Sequence, residues 1–144
     1  MIVAEEAGYR WEGGRGLWIA ISPQSEHAGL ALLHELGHAV DHQLLGWGSE
    51  QARLDPWWLA VTRTRAFQSL RRACSSEELA YWPTRRESFA RSFAQWVAER
   101  AGEPDALHEI ERRAGGAGRQ WARDDFAPVA NELDALLAPM AAAA

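Results

Sequence analysis

Lysine is missing from this 144-residue chain: all fifteen basic side chains are arginine, set against twenty acidic ones for a net charge of −5. That sign is wrong for a surface that must neutralise a phosphate backbone, so no nucleic-acid partner is expected. The arginine bias fixes no chemistry by itself, although guanidinium groups favour bidentate contacts with carboxylates. Cysteine is nearly missing too. The lone Cys74 cannot form an internal disulfide or a cysteine-rich zinc knuckle, which removes the secreted disulfide scaffold and the zinc ribbon and points to a reducing compartment. The opening residues Met1-Ile2-Val3-Ala4-Glu5-Glu6 carry two acids where a signal peptide needs a basic region and an apolar run. A cytoplasmic protein is expected, with delivery by a dedicated secretion route left open. Nor does any stretch approach the roughly 18 consecutive apolar residues of a membrane span. The richest, Ala28 to Leu45, is interrupted by His, Glu and Asp, so a soluble protein with no membrane partner is expected.

What is present suffices for a core: 47% of the residues are hydrophobic. A chain of this length can bury roughly 68% of its unfolded surface without staples. One domain is expected over residues 1–139, with a disordered tail at 140–144 where the terminal alanines have little to bury. Two β-prone runs around Gly13-Gly14-Arg15-Gly16 predict a β-hairpin from Tyr9 to Ile21. Ser22-Pro23 suits the cap of a helix running to Gly46, with Leu32, Leu33, Leu36, Val40 and Leu44 as its core face. Asp55-Pro56 opens a helix that closes near Arg71-Arg72, and Ser75 to Trp82 forms a short helix or loop. Thr84-Arg85-Arg86-Glu87 has the form of a capping box and starts a long helix ending near Gly102. Pro104 to Arg113 and Pro128 to Leu137 complete the helices, separated by a glycine-rich connector at Ala114 to Gly118. The eight tryptophans are assigned mainly to packing and pocket walls.

On the first long helix stands His34-Glu35-Leu36-Gly37-His38, the H-E-x-x-H arrangement in which two imidazoles one turn apart can reach one metal. Chance yields this pattern in roughly 2% of chains of such composition. Glu35 sits about 100° round from His34, where a carboxylate can touch a water on the metal without taking a coordination position. Zinc is the expected ion.

Two histidines do not complete a catalytic zinc site, which usually has three protein ligands. His42 lies about 12 Å along the axis from His34 on a regular helix, too far for one zinc to hold both. The metzincin pattern needs glycine at position 41 and histidine at position 44, where Asp41 and Leu44 stand. An acid on a later helix remains: Glu77, Glu78, Glu87, Asp55 or the Asp124-Asp125 pair. Glu87 is best placed, at the start of a strongly amphipathic helix. Its position in the capping box leaves metal ligand and helix cap both open.

The segment His34-Glu35-Leu36-Gly37-His38-Ala39-Val40-Asp41, followed by Tyr81 and then Glu87-x-Phe89-Ala90-x-x-Phe93, resembles the gluzincin metallopeptidases of the anthrax lethal factor catalytic domain type. The cytoplasmic Mlc titration factor peptidases are more distantly similar. The resemblance covers about Leu17 to Val97. It implies that His34, His38 and Glu87 bind zinc, that Glu35 is general base and acid, and that Tyr81 donates a hydrogen bond to the oxyanion. The chain departs from the family pattern at Arg91, where an acid often stands four residues after the ligand Glu, leaving that supporting role vacant or to Asp41 or another carboxylate. Tyr81, six residues before Glu87, is one residue closer than in the lethal factor pattern.

The expected fold is therefore α+β and zincin-like, with a small twisted sheet on the H-E-x-x-H helix, a second ligand-bearing helix, and a mostly helical C-terminal half. The expected function is peptide-bond hydrolysis by a Glu-activated water on zinc, with a polypeptide substrate pairing along an edge strand, Leu17 to Ile21. The competing expectation is a zinc-binding regulatory or interaction domain of the same fold that does not hydrolyse peptides. Glu35 argues against it, since a purely structural site would be closed by four protein ligands.

Overall fold

The computed structural model describes residues 7–22, 24–114 and 119–142. Strands β1 (Ala7–Glu12) and β2 (Arg15–Ile21) form the expected hairpin, an antiparallel two-stranded sheet among the described residues. Gly13 and Gly14 make its turn at φ +55° and +77°, which glycine adopts without the Cβ clash other residues meet. The register runs from Ala7 opposite Ile21 to Arg10 opposite Trp18, then slips so that Trp11 faces Gly16. Both strands pack on helix α1 (Ala28–Ala39), whose most extensive neighbour is α4 (Arg85–Ala101). The architecture is α+β.

Helix α1 starts later than Ser22-Pro23. The hydroxyls of Ser22 and Ser25 accept from the N–H groups of Gln24 and His27, both at 3.3 Å, so the chain turns before it coils; Pro23 lies outside the described residues. The helical rod does reach Gly46, but Val40–Leu44 is wound as a π-helix, a wider turn that often marks functional sites. The expected core face holds only in part: Leu33 and Val40 pack against the two cores, but Leu32, Leu36 and Leu44 are 41%, 37% and 62% exposed. Helix α4 instead packs on the side carrying Leu30 and Gly37, because a glycine there lets the two backbones approach.

The single helix expected from Asp55 is broken into α2 (Asp55–Thr62) and α3 (Arg65–Ala73). Thr64 caps the second one, accepting from the Phe67 N–H at 3.2 Å, and the Asp125 carboxylate accepts from the N–H groups of Arg65 and Ala66. A short 3-10 turn at Glu78–Ala80 leads to α4. Helix α4 is capped by Thr84, whose hydroxyl accepts from the Glu87 N–H, and it stops at Gly102 with φ +65°. Helix α5 covers Pro104–Ala114, and most of the glycine-rich connector, residues 115–118, lies outside the described residues. The last helix, α6 (Arg123–Ala142), is longer than expected at both ends. Asp124 and Asp125 suit its first turn, and Met140–Ala142, expected as tail, are helical; residues 143 and 144 lie outside the described part.

The main core lies between α2, α4 and α6, where Trp57, Phe89, Phe126, Val129 and Leu133 are buried together. A fully buried side chain such as Phe89 contributes about 1.5–3 kcal/mol of transfer energy. A second cluster of Leu30, Ala94, Ala98, Ala106 and Ile110 joins α1, α4 and α5. Helix α4 belongs to both, so its position, and that of Glu87 at its start, is held from two sides. The tryptophans divide: Trp57 and Trp121 are core, Trp58 and Trp96 flank it, Trp11, Trp47 and Trp82 line a cleft, and Trp18 is exposed. No helix among the described residues is long and apolar enough to cross a membrane.

Candidate metal centre

Where α1 crosses the start of α4, His34, His38 and Glu87 converge, each offering one ligand atom within 4.8 Å of the others. His34 Nε2 lies 3.1 Å from one Glu87 carboxylate oxygen and His38 Nε2 lies 3.0 Å from the other. The two imidazoles stand nearly perpendicular, with centroids 4.9 Å apart. Two ligands of a tetrahedral zinc at about 2.0–2.1 Å are roughly 3.3 Å from each other, so the three atoms are already near the required spacing. Two imidazole nitrogens and a carboxylate are also a donor set suited to zinc.

Glu87 meets the helix start with its backbone N–H, and its side chain does not take the capping-box role. Thr84 takes the Glu87 N–H, and the carboxylate turns to the histidines. Burial works to raise the Glu87 pKa, but hydrogen bonds and charge from His34 and His38 outweigh it and hold the carboxyl well below the usual carboxylate range. The other acids considered are engaged elsewhere or exposed. Asp55 pairs with Arg85 at 2.9 Å, Asp124 with Arg65 at 2.9 Å, and Asp125 caps α3. Glu78 accepts from the Ser75 N–H, and Glu77 is exposed.

His42 is not part of the cluster. The π-turn swings it to the hairpin, where its Nδ1 lies 3.0 Å from the Tyr9 hydroxyl and 2.9 Å from the Gln43 amide, and its ring stacks on Trp47. Asp41 is fully buried and accepts from the Ser49 N–H at 2.9 Å and the Ser49 hydroxyl at 2.5 Å. Burial pushes its pKa up against those bonds and the charge of His38. It ties the end of α1 to the next turn.

Glu35 and Tyr81 border the same open cleft as the three ligands, a space of about 1150 Å³. Glu35 is buried on the side of α1 next to the ligand stripe. Tyr81 packs edge-on against Trp82, with centroids 5.0 Å apart, and its phenol feels the charge of the Glu87 carboxylate. Partial burial, together with the Glu87 charge, pushes the phenol of this half-exposed residue up to about 12, so it is a proton-bearing donor at neutral pH. Of the two roles open to Tyr81 in the sequence, the packing beside Trp82 is the one present here.

Arg91 stands one turn beyond Glu87, almost wholly buried, and its Nη2 donates to the Trp82 carbonyl at 2.5 Å. Burial lowers its pKa to about 10, partly offset by the charge of Glu87. Where an acid was expected to steady a ligand, a guanidinium steadies the backbone next to Tyr81. Among the described residues the hairpin lines the cleft through Ala7 to Trp11 of β1, and Leu17 to Ile21 belong to the strand paired with it. Trp47, Trp82, Arg119 and Gln120 complete the walls and carry no pattern in the sequence that marks them. Compared with known proteins, the chain matches no family model, no curated protein and no solved structure.

Proposed function

We propose that this chain is a zinc-dependent peptidase with a zincin-like fold, in which His34, His38 and Glu87 hold the ion. The observation that carries the reading is the convergence of three ligand atoms on one cleft that Glu35 and Tyr81 also border. The separation of roles supports it: three residues from two helices suit the metal, and a fourth carboxylate stands beside them on the cleft.

Zinc, when bound, polarises the scissile carbonyl and brings the pKa of a bound water toward neutrality. Glu35 accepts the proton of the attacking water and passes it to the leaving amine. Tyr81, which keeps its proton at neutral pH, donates to the oxygen that gains charge. Arg91 holds the Trp82 carbonyl and with it the turn from which Tyr81 projects. The cleft floor between β1 and α1 accepts an extended chain, with the aromatic faces of Trp11 and Trp47 at one end.

The test is to purify the protein without added metal, measure zinc by elemental analysis, and incubate it with a mixture of unstructured peptides read by mass spectrometry. Close to one zinc per chain and new peptide termini that vanish in Glu35→Gln support the proposal. Metal well below one half per chain, in protein never exposed to chelator, overturns it. Full zinc with no cleavage favours the non-hydrolytic zinc domain.

A further inference from the structure

Past the metal ligands the cleft continues to a second end built from Trp82, Arg91, Arg119 and Gln120. The Arg119 guanidinium lies 4.2 Å from the centre of the Trp82 ring and that of Arg91 lies 5.9 Å from it. Arg91 spends Nη2 on the Trp82 carbonyl and, at 3.4 Å, the Ser88 hydroxyl, while its Nη1 is buried with no hydrogen-bond partner. Gln120, 2% exposed, has its Oε1 in the same state. Among the described residues no carboxylate forms an ion pair with Arg91 or Arg119. Of the acids in the cleft lining, Glu87, one turn before Arg91, is turned to His34 and His38, and Glu109 is held by Arg113 at 2.8 Å, His27 at 3.0 Å and Arg112 at 3.2 Å.

This end is constructed, not incidental. Gln95, wholly buried on α4, donates its amide to the Trp121 carbonyl at 2.9 Å and accepts the Trp121 N–H at 3.0 Å, which pins the segment carrying Arg119 and Gln120 to the ligand helix. A buried guanidinium nitrogen left without an acceptor is unfavourable, and so is an orphaned buried amide oxygen. An orphan donor on a cation and an orphan acceptor in the lining of one cleft are the complement of a carboxylate and a peptide N–H.

We propose that Arg119 and Arg91, with Gln120, form a subsite for a substrate carboxylate placed one or two residues from the bond that is cut. Four residues of α4 separate Glu87 from Arg91, about 6 Å of axial rise. A peptide residue spans at most about 3.3–3.6 Å, which sets that range. Arg119 meets the anion at the exposed mouth and Arg91 supports it from the floor. The carboxylate is either the C-terminus of the peptide or an Asp or Glu side chain. That it belongs to a peptide rests on the peptidase reading above.

The test uses zinc-replete Glu35→Gln protein labelled with fluorotryptophan, with the Trp82 resonance identified by Trp82→Phe. Three alanine-based peptides of equal length are titrated: a neutral C-terminal amide, the same chain with a free carboxylate, and the amide with one Glu next to the central bond. The Trp82 resonance should move with a carboxylate peptide, and the neutral amide should bind about tenfold more weakly or worse. Whichever carboxylate peptide binds more tightly identifies the source. Arg119→Gln, at an exposed site, should erase the preference, and Arg91→Gln should do the same in protein whose circular dichroism is unchanged. Equal binding of all three peptides overturns the proposal. So does a preference that survives Arg119→Gln, since the carboxylate then sits on the metal. Hydrolysis is scored separately with the parent protein. A carboxylate-dependent Trp82 shift in a protein that cuts nothing keeps the subsite and sinks the peptidase. Cleavage indifferent to carboxylates and to Arg119→Gln does the reverse.

Discussion

Gly37 of α1 lies so close to Ala90 of α4 that a β-carbon on the glycine would stand 2.8 Å from the Ala90 Cα and 3.0 Å from its carbonyl oxygen. Both neighbours are backbone and cannot swing aside. The contact sets how near His34 and His38, on either side of Gly37 in sequence, come to Glu87, three residues before Ala90.

Gly37→Ala should therefore reverse the usual sign of a glycine replacement inside a helix. Elsewhere alanine gains about 0.5–1 kcal/mol by propensity. Here the helices must part, at about 1–3 kcal/mol. Chemical denaturation should record the loss, and zinc titration should record a weaker site, because the ligands separate along with the helices.

His34→Ala and His38→Ala should each remove most of the metal, since two ligands make a weak site. Glu87→Gln should weaken zinc by about ten- to a hundredfold or more, by comparison with the loss of an outer partner. His42→Ala should leave metal content unchanged and instead lower stability by about 1 kcal/mol, the worth of its hydrogen bond to Tyr9. Competition with a chromogenic chelator ranks all four.

Glu35→Gln and Tyr81→Phe should both keep zinc and fold. The first should cost about 10²–10⁴ in kcat by removing the proton acceptor. The second should cost about 10²–10³ by removing one donor to the developing charge. With the phenol raised to about 12, titration of Tyr81 should not impose an alkaline limb on the rate near neutral pH. Steady-state kinetics on whichever peptide the parent cleaves distinguishes the two variants.

In chelator-treated protein, stability should depend on acid in a direction set by Glu87. Its folded-state carboxyl is depressed below the ordinary 4.5 by the two histidines. The unfolded chain thus takes up a proton first as the pH falls, so the contribution is complete above about 4.5 and declines below it. Urea midpoints measured down to pH 3 should fall in the parent and be flatter in Glu87→Gln.

The hairpin, the H-E-x-x-H helix and the Thr84 cap were legible because each rests on local chemistry: paired glycines, a one-turn spacing, a hydroxyl at a helix start. Glu87 was legible only as a candidate, since a capping box and a ligand share one pattern and the difference lies in where the carboxylate turns. The expected core face of α1 held at Leu33 and Val40 and failed at Leu32, Leu36 and Leu44 for a tertiary reason. The face that α4 covers was chosen by Gly37, which carries no hydrophobic signal at all. The break at Thr64 depends on Asp125 and Trp121, some sixty residues on, whose side chains bond the cap region and its hydroxyl. Arg91 was visible as a departure from a pattern, but its bond to Trp82 was not, because nothing in the spacing joins a helix to the loop before it.

The Glu87 contact with His34 spans 53 positions of the chain. A loop of that size closes late, after the local turns of each helix have formed. A metal at that junction behaves as a removable cross-link between the first and second halves of the chain. Because it grips the folded state and not the open chain, it should lengthen the lifetime of the native protein and protect the Gly46 to Trp82 stretch from nicking. Were the cluster to hold a metal, its supply would then govern survival of the protein in a proteolytic environment.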